Sequence, residues 1–98
     1  MTYRVIISAY AKDNIKDAVA YYKNKVSAKV AAEFIKDYEL ALKKIKQTPH
    51  FQVYYKNFRG LPLKRYPYII FYRVDEKNKL ILINGVFQAN QNTDKRPS

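Results

Sequence analysis

The sequence contains no cysteine, a single histidine and only two glycines among its 98 residues. Without cysteine the chain forms no disulfide and offers no thiolate to a metal ion, and one histidine with scattered carboxylates makes a poor zinc or calcium site. Two isolated glycines, Gly60 and Gly85, exclude a glycine-rich phosphate-binding loop. The serines, Ser8, Ser27 and Ser98, have no histidine base placed beside them, which disfavours a serine hydrolase. We therefore expect no metal ion and no cofactor.

Long hydrophobic runs are absent as well. The apolar run Val5-Ile6-Ile7 near the N-terminus is too short for the core of a signal peptide. No run approaches the roughly 20 apolar residues that are needed to cross a bilayer. The hydrophobic content of 48% is nevertheless enough for a folded chain, and a chain of this length fits one domain with a modest core. These features predict one soluble, cytoplasmic domain over residues 1–98 that does not contact a membrane.

Acidic residues are scarce, and the charge is uneven. The chain has 19 Lys and Arg against 8 Asp and Glu, which gives a net charge of +11. Residues 51–74 contain five cations and no anion. Such an excess favours a polyanionic partner, which could be RNA, DNA or an acidic protein segment. A generally basic surface without a specific partner explains the composition equally well.

The first half of the chain reads as one strand followed by two helices. Thr2–Ile7 is rich in β-branched residues, which is typical of a strand. Apolar residues then recur at helical spacings of three and four in two groups: Ile15, Ala18, Val19, Tyr22 and Val26, then Val30, Ala31, Phe34, Tyr38, Ala41, Leu42 and Ile45. Ser8 or Asp13 is expected to cap the first helix and Ser27 the second, which Pro49 ends. Because their link is short, the helices are predicted to form an antiparallel hairpin.

After Pro49 the pattern changes from helical to extended. The predicted extended segments are Phe51–Tyr55, Leu61–Tyr66, Tyr68–Val74 and Lys79–Phe87. Residues 56–60 are expected to end the first segment, Pro62 suits an edge position, and Gly85 indicates a bulge. Both alternating sets of Tyr68–Val74 are largely apolar, so the pattern does not decide which set faces the helices. The predicted fold class is α+β: an N-terminal strand, an antiparallel helix hairpin, a C-terminal antiparallel sheet of three to four strands, and a polar tail over residues 88–98.

Four segments resemble those of a known family. They are Ala18–Tyr22, Ile45–Pro49, Leu63–Tyr72 and Val86–Lys95. In their order, and with the predicted β-α-α-β-β-β arrangement, they resemble the RelE/ParE superfamily, the toxins of bacterial type II toxin–antitoxin systems, which includes ParE-like plasmid stabilisation proteins. The resemblance covers nearly the whole chain. It implies the RelE/ParE fold and a cognate antitoxin as a partner, and a basic surface suits an acidic amphipathic segment that becomes ordered on binding.

The closing segment departs from the family pattern at three positions. Where members commonly carry a histidine, an arginine and a proline, this chain has Gln88, Gln91 and Thr93. Glutamine is neither a general acid nor a base, and it offers no fixed positive charge to a phosphate. The departures favour the ParE-like side of the family, for which the resemblance implies inhibition of DNA gyrase by binding. They disfavour the RelE-like side, for which it implies cleavage of ribosome-bound mRNA.

Candidate site residues lie mainly in the basic and aromatic stretch. Metal-independent RNA cleavage needs a base, an acid and cations around one phosphate. For that alternative the catalytic candidates are Arg59, Lys64, Arg65 and Tyr72, with Tyr66, Tyr68 and Lys95 as further proton-transfer groups. The candidates for binding nucleic acid or another target are Lys56, Arg59, Lys64, Arg65, Arg73, Gln88, Asn92 and Lys95. His50 follows the end of a helix and is interpreted as a surface residue.

The sequence thus predicts the toxin of a type II toxin–antitoxin system that binds and inhibits DNA gyrase. Two alternatives stay open: a ribosome-dependent mRNA endonuclease, and an inactive family member that only binds the antitoxin. The partners expected are a cognate antitoxin and, as target, DNA gyrase or ribosome-bound mRNA. About half of the aromatic rings in the predicted strands are expected to be core rather than binding residues.

Overall fold

The computed structural model describes residues 3–89, which form one sheet packed against a helix hairpin. In chain order the elements are β1 (Arg4–Ile7), α1 (Ala9–Lys25), α2 (Ala28–Gln47), β2 (Val53–Tyr55), β3 (Phe58–Pro62), β4 (Tyr68–Asp75) and β5 (Leu80–Gln88). The element order agrees with the predicted α+β class. Between residues 3 and 89, neither helix has the length and hydropathy of a membrane-spanning segment.

Serine caps fix where both helices begin. The Ser8 Oγ accepts a hydrogen bond from the Ala11 N–H at 3.0 Å, and the Ser27 Oγ accepts one from the Val30 N–H at 3.1 Å. Each bond satisfies an amide that has no partner inside the helix. Of the two predicted caps for α1, Ser8 is the one used, and Asp13 lies inside the helix. Both Val26 and Ser27 donate their N–H to the Tyr22 carbonyl, which closes the turn between the helices.

The sheet has five strands in the order β1-β5-β4-β3-β2. The four C-terminal strands pair antiparallel, in agreement with the prediction, while β1 joins the sheet parallel to β5. A parallel pair requires a long crossover connection. The helix hairpin is the first part of the connection that follows β1.

The strand boundaries between residues 51 and 67 differ from the prediction. Residues 56–60 are expected to separate two extended segments, but only Lys56 and Asn57 do so, because Lys56 adopts φ 49° and Tyr55 then pairs directly with Phe58. β3 therefore begins three residues earlier than expected and ends at Pro62. Residues 63–67 form a loop instead of an extended segment.

Tyr68, Ile70 and Tyr72 of β4 face the helices and are buried in the main core. The opposite side of β4 carries Ile69, Phe71 and Arg73. The core is completed by residues of both helices and of β5, among them Phe34, Tyr38, Ile45, Ile81, Ile83 and Val86. The register between β4 and β5 shifts between the pairs Phe71–Gly85 and Tyr72–Ile83, which leaves Asn84 as the extra residue of the bulge predicted at Gly85.

Candidate target-binding surface

The predicted site residues do not come together in one place. Arg59 lies near the start of β3, and Lys64 and Arg65 lie in the loop that follows this strand. At about 3.3 Å per residue, roughly 10 Å of strand separates Arg59 from the end of β3. Asn92 and Lys95, like Gln91 and Thr93, lie outside the described residues. No single constellation of the predicted residues therefore exists between residues 3 and 89.

Arg59 is part of the support under the α2–β2 loop. It pairs with Tyr72 across β3 and β4, so both side chains point to the helix-facing side of the sheet. The Arg59 Nη1 donates a hydrogen bond to the Phe51 carbonyl at 2.7 Å. The half-buried guanidinium thus has a structural role, because it binds the Phe51 carbonyl of the loop.

Tyr72 is fully buried and bonded to the same loop. Its hydroxyl donates to the Pro49 carbonyl at 2.7 Å and accepts from the Phe51 N–H at 3.4 Å. Burial raises the pKa of Tyr72 above its ordinary value. A hydroxyl that is bonded on both sides inside the core is poorly placed to exchange a proton with a substrate.

The two other tyrosines considered for proton transfer are perturbed in the same direction. Burial is the main cause that raises the pKa of Tyr66 and of Tyr68. The Gln88 Nε2 donates to the Tyr68 hydroxyl at 3.4 Å, which lowers that pKa by a lesser amount. A raised pKa keeps a phenol protonated near neutral pH, so these groups are weakened as general bases.

Lys64 and Arg65 belong to a loop that is held by a buried carboxylate. The Arg65 N–H donates to the Asp37 Oδ2 at 2.8 Å, and Asp37 is buried in α2. Both cationic side chains are exposed. They present positive charge at the opposite end of β3 from Arg59.

Arg73 lies on the open face of the sheet, which is the face turned away from the helices. Its guanidinium carbon lies 5.6 Å from the centre of the Phe58 ring, a cation–π arrangement. Lys56 occupies the β2–β3 turn and lines a small surface cavity together with Arg59 and Glu76. The candidate cations are thus divided between the two faces and two ends of the sheet.

An aromatic row runs along the open face and ends against Tyr10 of α1. The ring centres of Tyr54 and Phe71 are 5.5 Å apart, those of Phe71 and Phe87 are 5.7 Å apart, and those of Phe87 and Tyr10 are 5.9 Å apart. Only Phe71 in this row is buried. With Arg73 beside them, the partly exposed rings form a surface of the composition that macromolecular interfaces favour.

An exposed cluster around Glu76 is not indicated by any pattern in the sequence. The Glu76 carboxylate accepts a hydrogen bond from the Tyr3 hydroxyl at 2.6 Å, contacts the His50 ring and lies 3.6 Å from the Lys79 Nζ. The Tyr3 hydroxyl, followed by His50, lowers the pKa of Glu76 to about 2. His50 is a surface residue as expected, but it joins the α2–β2 loop to the β4–β5 turn. A separation of 26 residues leaves no local pattern that links it to Glu76.

Carboxylates and the histidine do not cluster as metal ligands in this part of the molecule. Within residues 3–89 there is no group of three His, Cys, Asp or Glu side chains that could hold a metal ion.

Comparisons with known proteins identify the family and the fold. The family model described as "ParE toxin of type II toxin-antitoxin system, parDE" matches residues 5–93. The chromosomal ParDE toxin–antitoxin system from P. aeruginosa contains a chain of similar structure, with a TM-score of 0.79 and 17% identity over 90% of this chain and 97% of that chain. The toxin–antitoxin complex RelBE2 from Mycobacterium tuberculosis gives a TM-score of 0.59 at 16% identity, covering 90% and 99% of the two chains. The isolated E. coli RelE toxin gives 0.54 at 13% identity, covering 94% and 89%. A search of the curated proteins finds no match.

Proposed function

The chain belongs to the ParE toxin family of type II toxin–antitoxin systems, and on that premise we propose that it arrests growth by binding and inhibiting DNA gyrase. The activity is a binding activity, exerted on a macromolecule in the cytoplasm. In the resting state a cognate antitoxin covers the toxin and prevents it from reaching its target.

The observation that carries this proposal is the separation of the residues that RNA cleavage would use. Cleavage without a metal requires an acid, a base and cations at the same phosphate. Arg59 and Tyr72 instead support the α2–β2 loop, while Lys64 and Arg65 lie beyond the far end of β3. This distribution supports inhibition by binding over a nuclease mechanism.

The composition of the open face supports the proposal that the target is a protein. Tyr54 and Phe87 on this face, and Tyr10 of α1 next to Phe87, offer exposed or partly exposed ring area, and Arg73 supplies a positive charge over the Phe58 ring. Aromatic residues and arginine carry much of the free energy of protein–protein interfaces. A large enzyme such as gyrase binds such a surface without any chemical step on the toxin.

The net charge of +11 supports a cognate antitoxin as the other partner of the toxin. An acidic amphipathic segment of the antitoxin fits a basic surface and becomes ordered on it. Because charge complementarity accelerates association, we expect the complex to form more slowly at high salt.

The experiment is induced expression of the toxin alone in a bacterial host, with growth, transcript integrity and plasmid supercoiling followed together. We expect growth arrest, intact transcripts and altered supercoiling. The variant Arg73→Glu tests the open face, and Lys16→Glu, an exposed site on α1, is the matched charge control. Arg73→Glu should abolish or strongly reduce the arrest, while Lys16→Glu should retain it.

Two results would contradict the proposal and support one of the alternative functions. Cleaved transcripts that depend on ribosomes, with normal supercoiling, would identify an mRNA endonuclease of the RelE type. Normal growth in the presence of folded protein would identify an inactive family member that only binds the antitoxin.

A further inference from the structure

A cleft of about 370 Å³ lies between α1 and the end of the β4–β5 hairpin. One wall is a stripe of α1 at helical spacing, which contributes Tyr10, Asn14, Asp17 and Tyr21. The other wall includes Phe87 and Gln88 of β5. The Asn14 Oδ1 accepts a hydrogen bond from the Val86 N–H at 3.0 Å, which fixes the helix against the strand and so sets the width of the cleft.

The cleft is anionic although the chain as a whole is strongly basic. Asp17 lines it, and among the residues that the structure describes no lysine or arginine does. Asp17 makes no hydrogen bond or ion pair with any residue in the part of the chain that the structure describes. Its helix neighbours three and four positions away are Asp13, Asn14, Ala20 and Tyr21, none of which is a cation. Lys16 directly precedes Asp17, but consecutive residues of a helix do not face each other, and salt screens charges beyond about 10 Å.

The walls beside Asp17 are aromatic and open to solvent. Tyr10 is 57% exposed and Tyr21 is 51% exposed, although both are large and partly apolar. The Tyr10 ring lies 5.9 Å from that of Phe87. The face of an aromatic ring attracts a cation, and the planar guanidinium group both stacks on rings and binds a carboxylate through two N–H groups.

We propose that this cleft, here called the Asp17 cleft, recognises an arginine side chain presented by a protein partner. The guanidinium pairs with the Asp17 carboxylate and stacks against Tyr10 or Tyr21. The Gln88 amide, whose Nε2 is already bonded to the Tyr68 hydroxyl, offers its Oε1 as a further acceptor. This site adds specificity to binding and does not depend on whether gyrase is the target.

The chemistry of the cleft selects a protein segment over the free amino acid. Free arginine also carries an α-carboxylate, which needs a cation or amide donors close by. Within residues 3–89 the Asp17 cleft has no lysine or arginine among its lining residues, and Asp17 would repel the α-carboxylate of free arginine. An arginine inside a polypeptide has no such group.

The test is an NMR titration of the full chain with N-acetyl-arginine amide at constant ionic strength. We expect saturable shifts of the Asp17 and Ala18 backbone amides and of the Tyr10 and Tyr21 rings. N-acetyl-citrulline amide, which has the same shape without the charge, should bind at least several-fold more weakly. Asp17→Asn should weaken binding of the arginine probe about fivefold, as expected for the loss of an exposed ion pair. Asp13→Asn, one turn away and outside the cleft lining, should leave it unchanged.

Several results would overturn the proposal. Equal binding of the citrulline probe, or an Asp17→Asn variant that binds the arginine probe as well as the parent does, would show that charge does not contribute to binding. Tighter binding of free L-arginine than of the blocked probe would indicate a small-molecule site. Failure of the probe to bind, together with shifts of residues 90–98 on Asp17→Asn, would show that the chain's own Lys95 or Arg96 fills the cleft.

Discussion

Replacing Tyr72 with phenylalanine separates a structural role of the Tyr72 hydroxyl from a catalytic one. The ring is fully buried, and phenylalanine retains its packing. The substitution removes the hydroxyl that donates to the Pro49 carbonyl at 2.7 Å and accepts from the Phe51 N–H at 3.4 Å. We expect a less stable protein that still arrests growth.

The expected loss of stability follows from the Pro49 carbonyl, which loses its hydrogen-bond donor in this variant. Leaving a buried acceptor unsatisfied costs about 1–3 kcal/mol, and the longer bond to the Phe51 N–H contributes little. We therefore expect the free energy of unfolding to fall by about 2 kcal/mol. For a domain of this size, a loss of that magnitude lowers the melting temperature by roughly 10 °C. Urea unfolding should show a lower midpoint with an unchanged slope.

Tyr54→Phe is the matched control, because the Tyr54 ring packs on Phe71 and its hydroxyl has no hydrogen-bond partner among the described residues. Its stability should change by less than about 0.5 kcal/mol. A Tyr72→Phe variant that unfolds at the parental urea concentration would contradict the structural role of the hydroxyl. A variant that is folded and stable but no longer toxic would also contradict it, since the hydroxyl would then act on a substrate.

Three further predictions concern stability. Gly60→Ala should destabilise the protein by about 1–3 kcal/mol, because the added Cβ would meet Tyr54 ring carbons at 2.7 and 2.8 Å; calorimetry that finds no loss would contradict this. Asp37→Ala should cost about 1–3 kcal/mol in urea unfolding, since the Arg65 N–H loses its acceptor, and it should increase hydrogen exchange at that amide first. Glu76→Gln should flatten the acid limb of the stability curve. The pKa of Glu76 is lowered in the folded state to about 2, so the contribution of its carboxylate to stability is present above pH 4.5 and is lost as the pH falls towards 2. Urea midpoints at pH 6, 4 and 3 that fall equally in parent and variant would contradict this contribution.

The predictable parts of the fold are those determined by local chemistry. Ser8 and Ser27 cap the helices because a short side chain can reach a free amide three residues on, which is a property of adjacent sequence. The break after Tyr55 was expected, but its length was not, because the left-handed conformation of Lys56 and the pairing of Tyr55 with Phe58 reduce the turn to two residues. The face of β4 that packs on the helices was undecidable because both faces are apolar.

The candidate site was harder to predict because residue type does not determine position. Arg59 and Tyr72 were grouped by their chemistry, and they do lie side by side, but the register of β3 with β4 points both towards the helices. Arg73 follows Tyr72 directly and for that reason lies on the other face. The cluster of Tyr3, His50 and Glu76 joins three distant segments, so no spacing in the sequence indicates it.

The most direct test of the proposed function is a supercoiling assay with purified DNA gyrase, relaxed plasmid, ATP and increasing amounts of the purified toxin. The proposal predicts that supercoiling is inhibited in a dose-dependent way, that the antitoxin restores it, and that mRNA incubated with ribosomes and the same toxin stays intact. Full supercoiling at excess toxin, together with ribosome-dependent cleavage of the mRNA, would contradict it.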